Sequence, residues 1–301
     1  MSTIKRRDFI TNYHATSYDY ISPLKLDISG RNVIITGGAS QEGVGSATAI
    51  AFARAGAKSI AIIDIHDVME STKEKIKKAA LDAERSESLV ISCKTNISLL
   101  NEVQAAYDTI SKVFDGRLDV LINNAAHQEP YATILASDPE VYWRTWEVNL
   151  HGVFNMTRLF LPMLLSTRTS NDLPGSCTMI NVSSSGALSV RGGSSSYRSS
   201  KLALLRWTEN TQLDHLDQGL LTFCVNPGAI KTQLTINEPE ELRAKLPHKS
   251  YIAGDTICWL ASERREWLSA RYISCPWDME ELMSRKEEIV EGDKLKIKMD
   301  F

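Results

Sequence analysis

Tyr197 and Lys201 stand four residues apart. In a helix that spacing puts both side chains on one face, one turn from each other. An ammonium held beside a phenol favours the phenolate and so lowers the tyrosine's pKa. A phenol shifted toward neutrality can serve as a general acid or base. Ser184 precedes Tyr197 by thirteen residues and follows the apolar run Met179-Ile180-Asn181-Val182. A hydroxyl at a strand end is well placed to hold a substrate oxygen beside that phenol. Taken alone, a Tyr-x-x-x-Lys pair more often marks a solvated helix face. The elements around it decide between the two.

Those elements alternate. Val33-Ile34-Ile35 is a short apolar run suited to a buried parallel strand. It leads into Thr36-Gly37-Gly38-Ala39-Ser40-Gln41-Glu42-Gly43-Val44-Gly45 and an alanine-rich helix over 46–55. In a strand–turn–helix context the glycines let backbone amides approach a pyrophosphate, and the helix N-terminus favours its charge. The pattern then predicts a strand over 59–63 ending in Asp64, a helix over 70–85, a strand over 89–93 and a helix over 98–114. A strand over 118–122 runs into Asn123-Asn124-Ala125-Ala126, and a long helix over 139–165 carries Asn149. A polar loop follows at 166–175, then a strand at 177–182, a helix at 197–216 and a strand at 220–225. Six strands alternating with helices predict an α/β fold, a doubly wound parallel sheet covered on both faces. Residues 1–27 read as an arm, 28–275 as the main domain and 276–301 as a C-terminal extension.

Bulk properties narrow the function. A net charge of −3 and a pI near 6.1 leave no footprint for nucleic acid or an anionic membrane. No run of about 18 apolar residues is present, so no membrane span is expected. The five cysteines form no Cys-x-x-Cys pair, and several lie within apolar runs. Buried free thiols in a reducing, cytoplasmic setting are expected. The six histidines are dispersed, and no metal site is expected.

In order along the chain, these motifs resemble the short-chain dehydrogenase/reductase family over residues 28–275. The resemblance rests on the Thr-Gly…Gly-x-Gly turn, Asn-Asn-Ala-Ala after the fourth strand, and Asn149 in Val-Asn-Leu. Ser184 stands at the family's distance from Tyr197, and Tyr-x-x-x-Lys and Asn-Pro-Gly-Ala-Ile-Lys-Thr complete it. It implies a Rossmann-like sheet of about seven strands in the order 3-2-1-4-5-6-7. It also implies an NAD(P)-dependent oxidoreductase acting on a small secondary alcohol or ketone. Tyr197 would be the general acid or base, Lys201 would lower its pKa and bind the nicotinamide ribose, and Ser184 would polarise the carbonyl. Asn149 would kink its helix and hold a water that relays protons to Lys201. Gly37, Ser40, Gly43, Val44, Gly45, Asn96, Ile97, Asn124, Ile230 and Thr232 would contact the cofactor. His127 and Gln128 would border the substrate, a packed and hydrogen-bonded His127 being the competing reading. Residues 233–248 occupy the place of a substrate lid. The arm and tail look similar to a fungal subgroup, many of them secondary-metabolism enzymes, and a homodimer or homotetramer is implied. An epimerase, a cyclase-like enzyme or a cofactor-sensing binding protein is the alternative on the same fold.

Asp64 bears on cofactor choice. A carboxylate at the end of the second strand can accept from both adenosine ribose hydroxyls and repels a 2′-phosphate. No Arg or Lys follows it directly, so NAD(H) is favoured, with NADP(H) as the alternative. Two departures from the family pattern stand out. Gln41 and Glu42 lengthen the glycine turn, bringing an acid near the pyrophosphate, and Asn96 replaces the usual adenine-contacting Asp.

Overall fold

The structure, a computed structural model, describes residues 9–170 and 176–299. Burial on both sides of each central strand organises it. In β1 (Asn32–Thr36) every residue is buried. Val33 and Ile35 face one apolar cluster and Ile34 the other. β2 (Ser59–Asp64) repeats this, with Ile60 and Ile62 on the first side and Ala61 and Ile63 on the second. Strands apolar on both faces need helices above and below, which parallel pairing with helical crossovers supplies. β3 (Leu89–Lys94), β4 (Val120–Asn123), β5 (Thr178–Val182), β6 (Leu221–Asn226) and β7 (Tyr272–Ser274) complete the sheet. All pairings are parallel and the order is β3-β2-β1-β4-β5-β6-β7.

α1 (Val44–Arg54), α2 (Glu70–Asp82) and, later in the chain, 250–262 cover the first face through Ile50, Ile76 and Ile257. On the second face lie α3 (Leu100–Val113) and, after α4 (Pro139–Trp146), α5 (Val153–Ser170), contributing Val103, Ile110, Met156 and Phe160. α6 (Ser195–Asp214) packs Leu204 and Leu205 against Val153 and Cys224. The short α7 (Glu240–Arg243) precedes α8 (Ser250–Ser262), and α9 (Met279–Ser284) and α10 (Lys286–Glu291) follow β7. No helix among the described residues is long and apolar enough to cross a membrane. All five cysteines are free, four of them buried.

One expectation is sharpened and another corrected. The long helix over 139–165 is interrupted by a π-helical segment, Glu147–Gly152, centred on Asn149. Moreover, 166–170 is helix and not loop, while 171–175 lie outside the described residues. Polarity misled there because the hydroxyls are satisfied internally. Ser166 and Thr167 donate to the Met163 carbonyl at 3.0 and 2.9 Å, and Thr167 also accepts from the Leu118 amide at 3.0 Å.

The arm joins the same core. Ile10, Ile21 and Ile28 are fully buried in the first cluster. The chain near residue 12 pairs with the segment after β7. His14 N donates to Pro276 O (2.8 Å), Asp278 N donates to Asn12 O (3.0 Å), and the Glu281 carboxylate accepts from the Thr11 and Asn12 amides.

Candidate active site

β1 and β4 are neighbours although not consecutive, so the chain leaves them toward opposite ends of the sheet and a crevice opens at their carboxyl ends. Gly37 follows β1 with φ 74°, and a Cβ there would lie 2.8 Å from Ala125 Cα. A Cβ on Gly45 would sit 2.2 Å from the Gly37 carbonyl oxygen. Only glycine lets the turn and the start of α1 press together this closely. Asn124 fastens them, its Nδ2 donating to the Thr36 and Gly37 carbonyls at 2.8 and 2.9 Å. No side chain caps α1 at Gly43. Its first amides are therefore the kind of donor set a pyrophosphate takes. The inserted Gln41 and Glu42 are exposed, and Gln41 Nε2 lies 3.4 Å from Ser71 Oγ on α2. The exposed Ser40 closes this bulge, its carbonyl accepting from Gly43 N at 3.0 Å.

The expected adenosine contacts are busier than their types suggest. Asp64 Oδ2 accepts from Ala39 N (2.8 Å) and Oδ1 from His66 N (2.9 Å). The carboxylate thus ties the glycine turn to β2, and each oxygen keeps a further lone pair. Asn96 Oδ1 accepts from both the amide and hydroxyl of Ser98. Ile97 is buried against Gly152, and its carbonyl accepts from Asn155.

Beside the crevice lies a cleft of about 470 Å³ whose wall includes Ser184, Tyr197, Lys201, Gln128, Ile230 and Thr232. Val44 and Asn124 reach it from the nucleotide side. Ser184 lies two residues beyond β5, at the N-cap of a short 3₁₀ turn, and accepts from Gly186 N at 3.0 Å, which fixes its hydroxyl. Tyr197 and Lys201 project from α6 and are both buried, with the ammonium 5.9 Å from the tyrosine ring centroid. Lys201 Nζ donates to Val182 O at 2.7 Å. The spacing of this pair suggests a phenol shifted down, and here the structure differs. Burial pushes Tyr197 up to about 12, a hydrogen bond with Ser184 pulls it down, and Glu238 and Glu129 push it up again. Burial pushes Lys201 down to about 8, with Cys224 opposing. Desolvation dominates, so the phenol holds its proton at neutral pH.

Asn149 is fully buried but stands behind the cleft wall. Its Oδ1 accepts from His127 N (2.8 Å), and its Nδ2 donates to His127 O (2.9 Å) and Ser200 Oγ (3.0 Å). It thereby splints the segment after β4 to α6. His127 also stays out of the wall. Its Nδ1 shares a hydrogen bond with Thr145 Oγ1 at 3.0 Å, and burial lowers its pKa, the behaviour of a packed neutral imidazole. Gln128 does face the cleft, while its carbonyl accepts from Asn237 Nδ2 at 3.1 Å. That bond joins it to the segment 233–248, where Thr232 caps a short 3₁₀ turn in a reciprocal box with Thr235. Leu234, Leu242 and Leu246 of this segment close over the cleft.

Sequence reasoning missed two carboxylates, Glu129 and Glu238. Glu238 lines the cleft. Glu129 is only 3% exposed and accepts from the amides of Ser196 and Tyr197. It lies 67 residues before Ser196, so no local spacing could link the two. The available signal was an acidic residue in the tight run after Asn-Asn-Ala-Ala.

Comparison with known proteins agrees with this geometry. The short chain dehydrogenase family model matches residues 31–243. The short chain dehydrogenase citE of Monascus ruber is 39% identical over 291 residues, covering 97% of this chain and 96% of its own. The short chain dehydrogenase andI of Emericella variicolor is 34% identical over 293 residues, covering 97% of each chain. Among solved structures, a 3-ketoacyl-(acyl-carrier-protein) reductase from Brucella melitensis complexed with NADH superposes with a TM-score of 0.69 at 24% identity, covering 82% of this chain and 96% of that one. An NADH-dependent reductase, A1-R', complexed with NAD gives 0.68 at 22% identity, covering 84% and 96%. The motif order, the parallel sheet and the family match agree: the chain belongs to the short-chain dehydrogenase family and is an oxidoreductase.

Proposed function

We propose that the protein carries out NAD(H)-dependent interconversion of a ketone and a secondary alcohol on a small molecule, a secondary metabolite in the light of its fungal relatives. One observation carries this reading: Ser184, Tyr197 and Lys201 converge on one cleft next to a glycine turn that a Cβ would block. Gly37, Gly43, Val44 and Gly45 would cradle the pyrophosphate, and Asp64 would receive the adenosine ribose with its free lone pairs, which favours NAD(H) over NADP(H). Asn96 and Ile97 would flank the adenine, and Asn124, Ile230 and Thr232 the nicotinamide end. When bound, nicotinamide supplies or accepts the hydride. Ser184 holds and polarises the substrate oxygen, and Tyr197 gives that oxygen its proton during reduction and takes it back during oxidation. Lys201 would hold the nicotinamide ribose and, with the cofactor bound, steady the phenolate. Asn149, through the His127 backbone, keeps the substrate-side segment in register with α6.

The molecule would work as a dimer or tetramer. Trp143 and Phe154, 60% and 49% exposed beside the π segment, offer the apolar contact. A second reading, nucleotide binding without net redox chemistry, draws on the engaged Asp64 and the acidic Glu42 in the turn. Incubating the protein with 4-deuterated NADH and a panel of cyclic and aryl ketones separates the two. Deuterium at the carbinol carbon is expected. NADH binding with no deuterium transfer to any ketone would favour the second reading.

A further inference from the structure

Glu129 is a buried carboxylate with an unusual set of neighbours. Oε1 accepts from Ser196 N at 2.9 Å and Oε2 from Tyr197 N at 3.0 Å, so both oxygens close on the first turn of α6. Thr145 Oγ1 lies 3.3 Å from Oε2. No cation lies within ion-pair distance of Glu129 among the described residues. Ser194, at the helix N-cap, adopts a left-handed conformation (φ 49°) and makes no side-chain cap. The cap is supplied instead by a residue distant in sequence, and a helix N-terminus is the place where an unpaired buried carboxylate is stabilised by amide donors and the helix dipole. The residue whose amide it holds is Tyr197 itself.

We propose that Glu129 is a positioning residue for Tyr197: it caps the start of the helix that carries the tyrosine and fixes a negative charge at the root of that side chain, so that the phenolate is disfavoured until substrate and cofactor are in place. The inference rests on the redox reading above. Other groups facing the phenol are Ser184 from the turn after β5, Lys201 from α6 and Glu238 from the segment over the cleft. Cys224 acts on Lys201, while Arg144 and Glu129 act on His127. Of the two carboxylates acting on the phenol, Glu238 is half-buried in the cleft wall and acts the more strongly, whereas Glu129 is enclosed and also holds the tyrosine's own amide.

The test needs a change that keeps shape and removes charge. Glu129→Gln does so, and Glu129→Asp keeps the charge but shortens the reach. The phenol is read without turnover by placing difluorotyrosine at position 197, whose ionisation falls nearer neutrality, and following its ultraviolet titration. Glu129→Gln is expected to lower the midpoint by on the order of half a unit to one unit. Glu129→Asp should leave the midpoint nearly in place, while both variants lose a few degrees of Tm. With turnover as the readout, Glu129→Gln should move the pH profile of alcohol oxidation down by the same amount, with ketone reduction at pH 7 altered only a few-fold. A midpoint unchanged in Glu129→Gln, or oxidation and reduction falling together without a pH shift, would overturn the proposal and leave Glu129 a simple helix cap. A shifted midpoint in a protein that never transfers hydride would uphold the charge effect and sink the redox reading instead.

Discussion

The two halves of the site use different materials. The nucleotide half is made of backbone: glycines pressed against carbonyls at Gly37 and Gly45, open amides at the start of α1, and Asn124 holding the turn by main-chain oxygens. The cleft half is made of buried side chains, and burial moves Tyr197 up and Lys201 down, both toward their neutral forms. A backbone site fails when atoms no longer fit. A side-chain site fails when protons sit in the wrong place. The first kind of failure is steric and insensitive to pH, and the second should follow pH.

Variants in each half can break or sharpen that contrast. Lys201→Met removes the ammonium buried beside the phenol, and ketone turnover is expected to fall by roughly 10²- to 10⁴-fold, read from initial rates at saturating NADH. The same lysine makes stability depend on pH. Its folded pKa of about 8 lies below the ordinary 10.5, so the unfolded chain binds more protons between those values. Stability to urea should therefore rise with pH from about 8 to 10, by up to about 1.4 kcal/mol per pH unit, and Lys201→Met should flatten the rise. Above pH 10, Tyr197 acts in the opposite sense, since its folded pKa of about 12 exceeds the ordinary 10.0. Gly45→Ala puts a methyl against the Gly37 carbonyl. NADH should bind about 10- to 100-fold more weakly by fluorescence titration, with no dependence on pH between 6 and 9. Asp64→Ser should shift the NADH-to-NADPH affinity ratio toward NADPH by about tenfold, a modest effect because this carboxylate also ties Ala39 and His66. An unchanged ratio would make Asp64 a turn residue only.

Legibility in the sequence follows the same division. Six strands and the glycine turn could be read because they leave residue types at fixed local spacings, whereas the strand order and the seventh strand came only with the family resemblance. The Tyr197–Lys201 pair could be read because one helical turn joins it. Its protonation could not, since the spacing of the two residues says nothing of the desolvation that sets both groups. Glu129 escaped because its link to Tyr197 crosses from the segment after β4 to α6. Thr167 misled by composition, its hydroxyl being bonded inside the helix that its polarity seemed to end. Asn149 was read as a helix-kinking residue, and the π segment around it agrees. Its buried amide also does something its position alone did not suggest, pairing with the His127 backbone like a short piece of strand.

The central claim is that Tyr197 delivers the proton while the nucleotide is held elsewhere. The most direct measurement follows reduced-nicotinamide absorbance as a ketone substrate is added to wild-type and Tyr197→Phe protein, each first shown by fluorescence to be saturated with NADH. Tyr197→Phe is expected to bind NADH within about threefold of wild type and to lose turnover by at least about 10²-fold. Turnover surviving in Tyr197→Phe at the wild-type rate would contradict it.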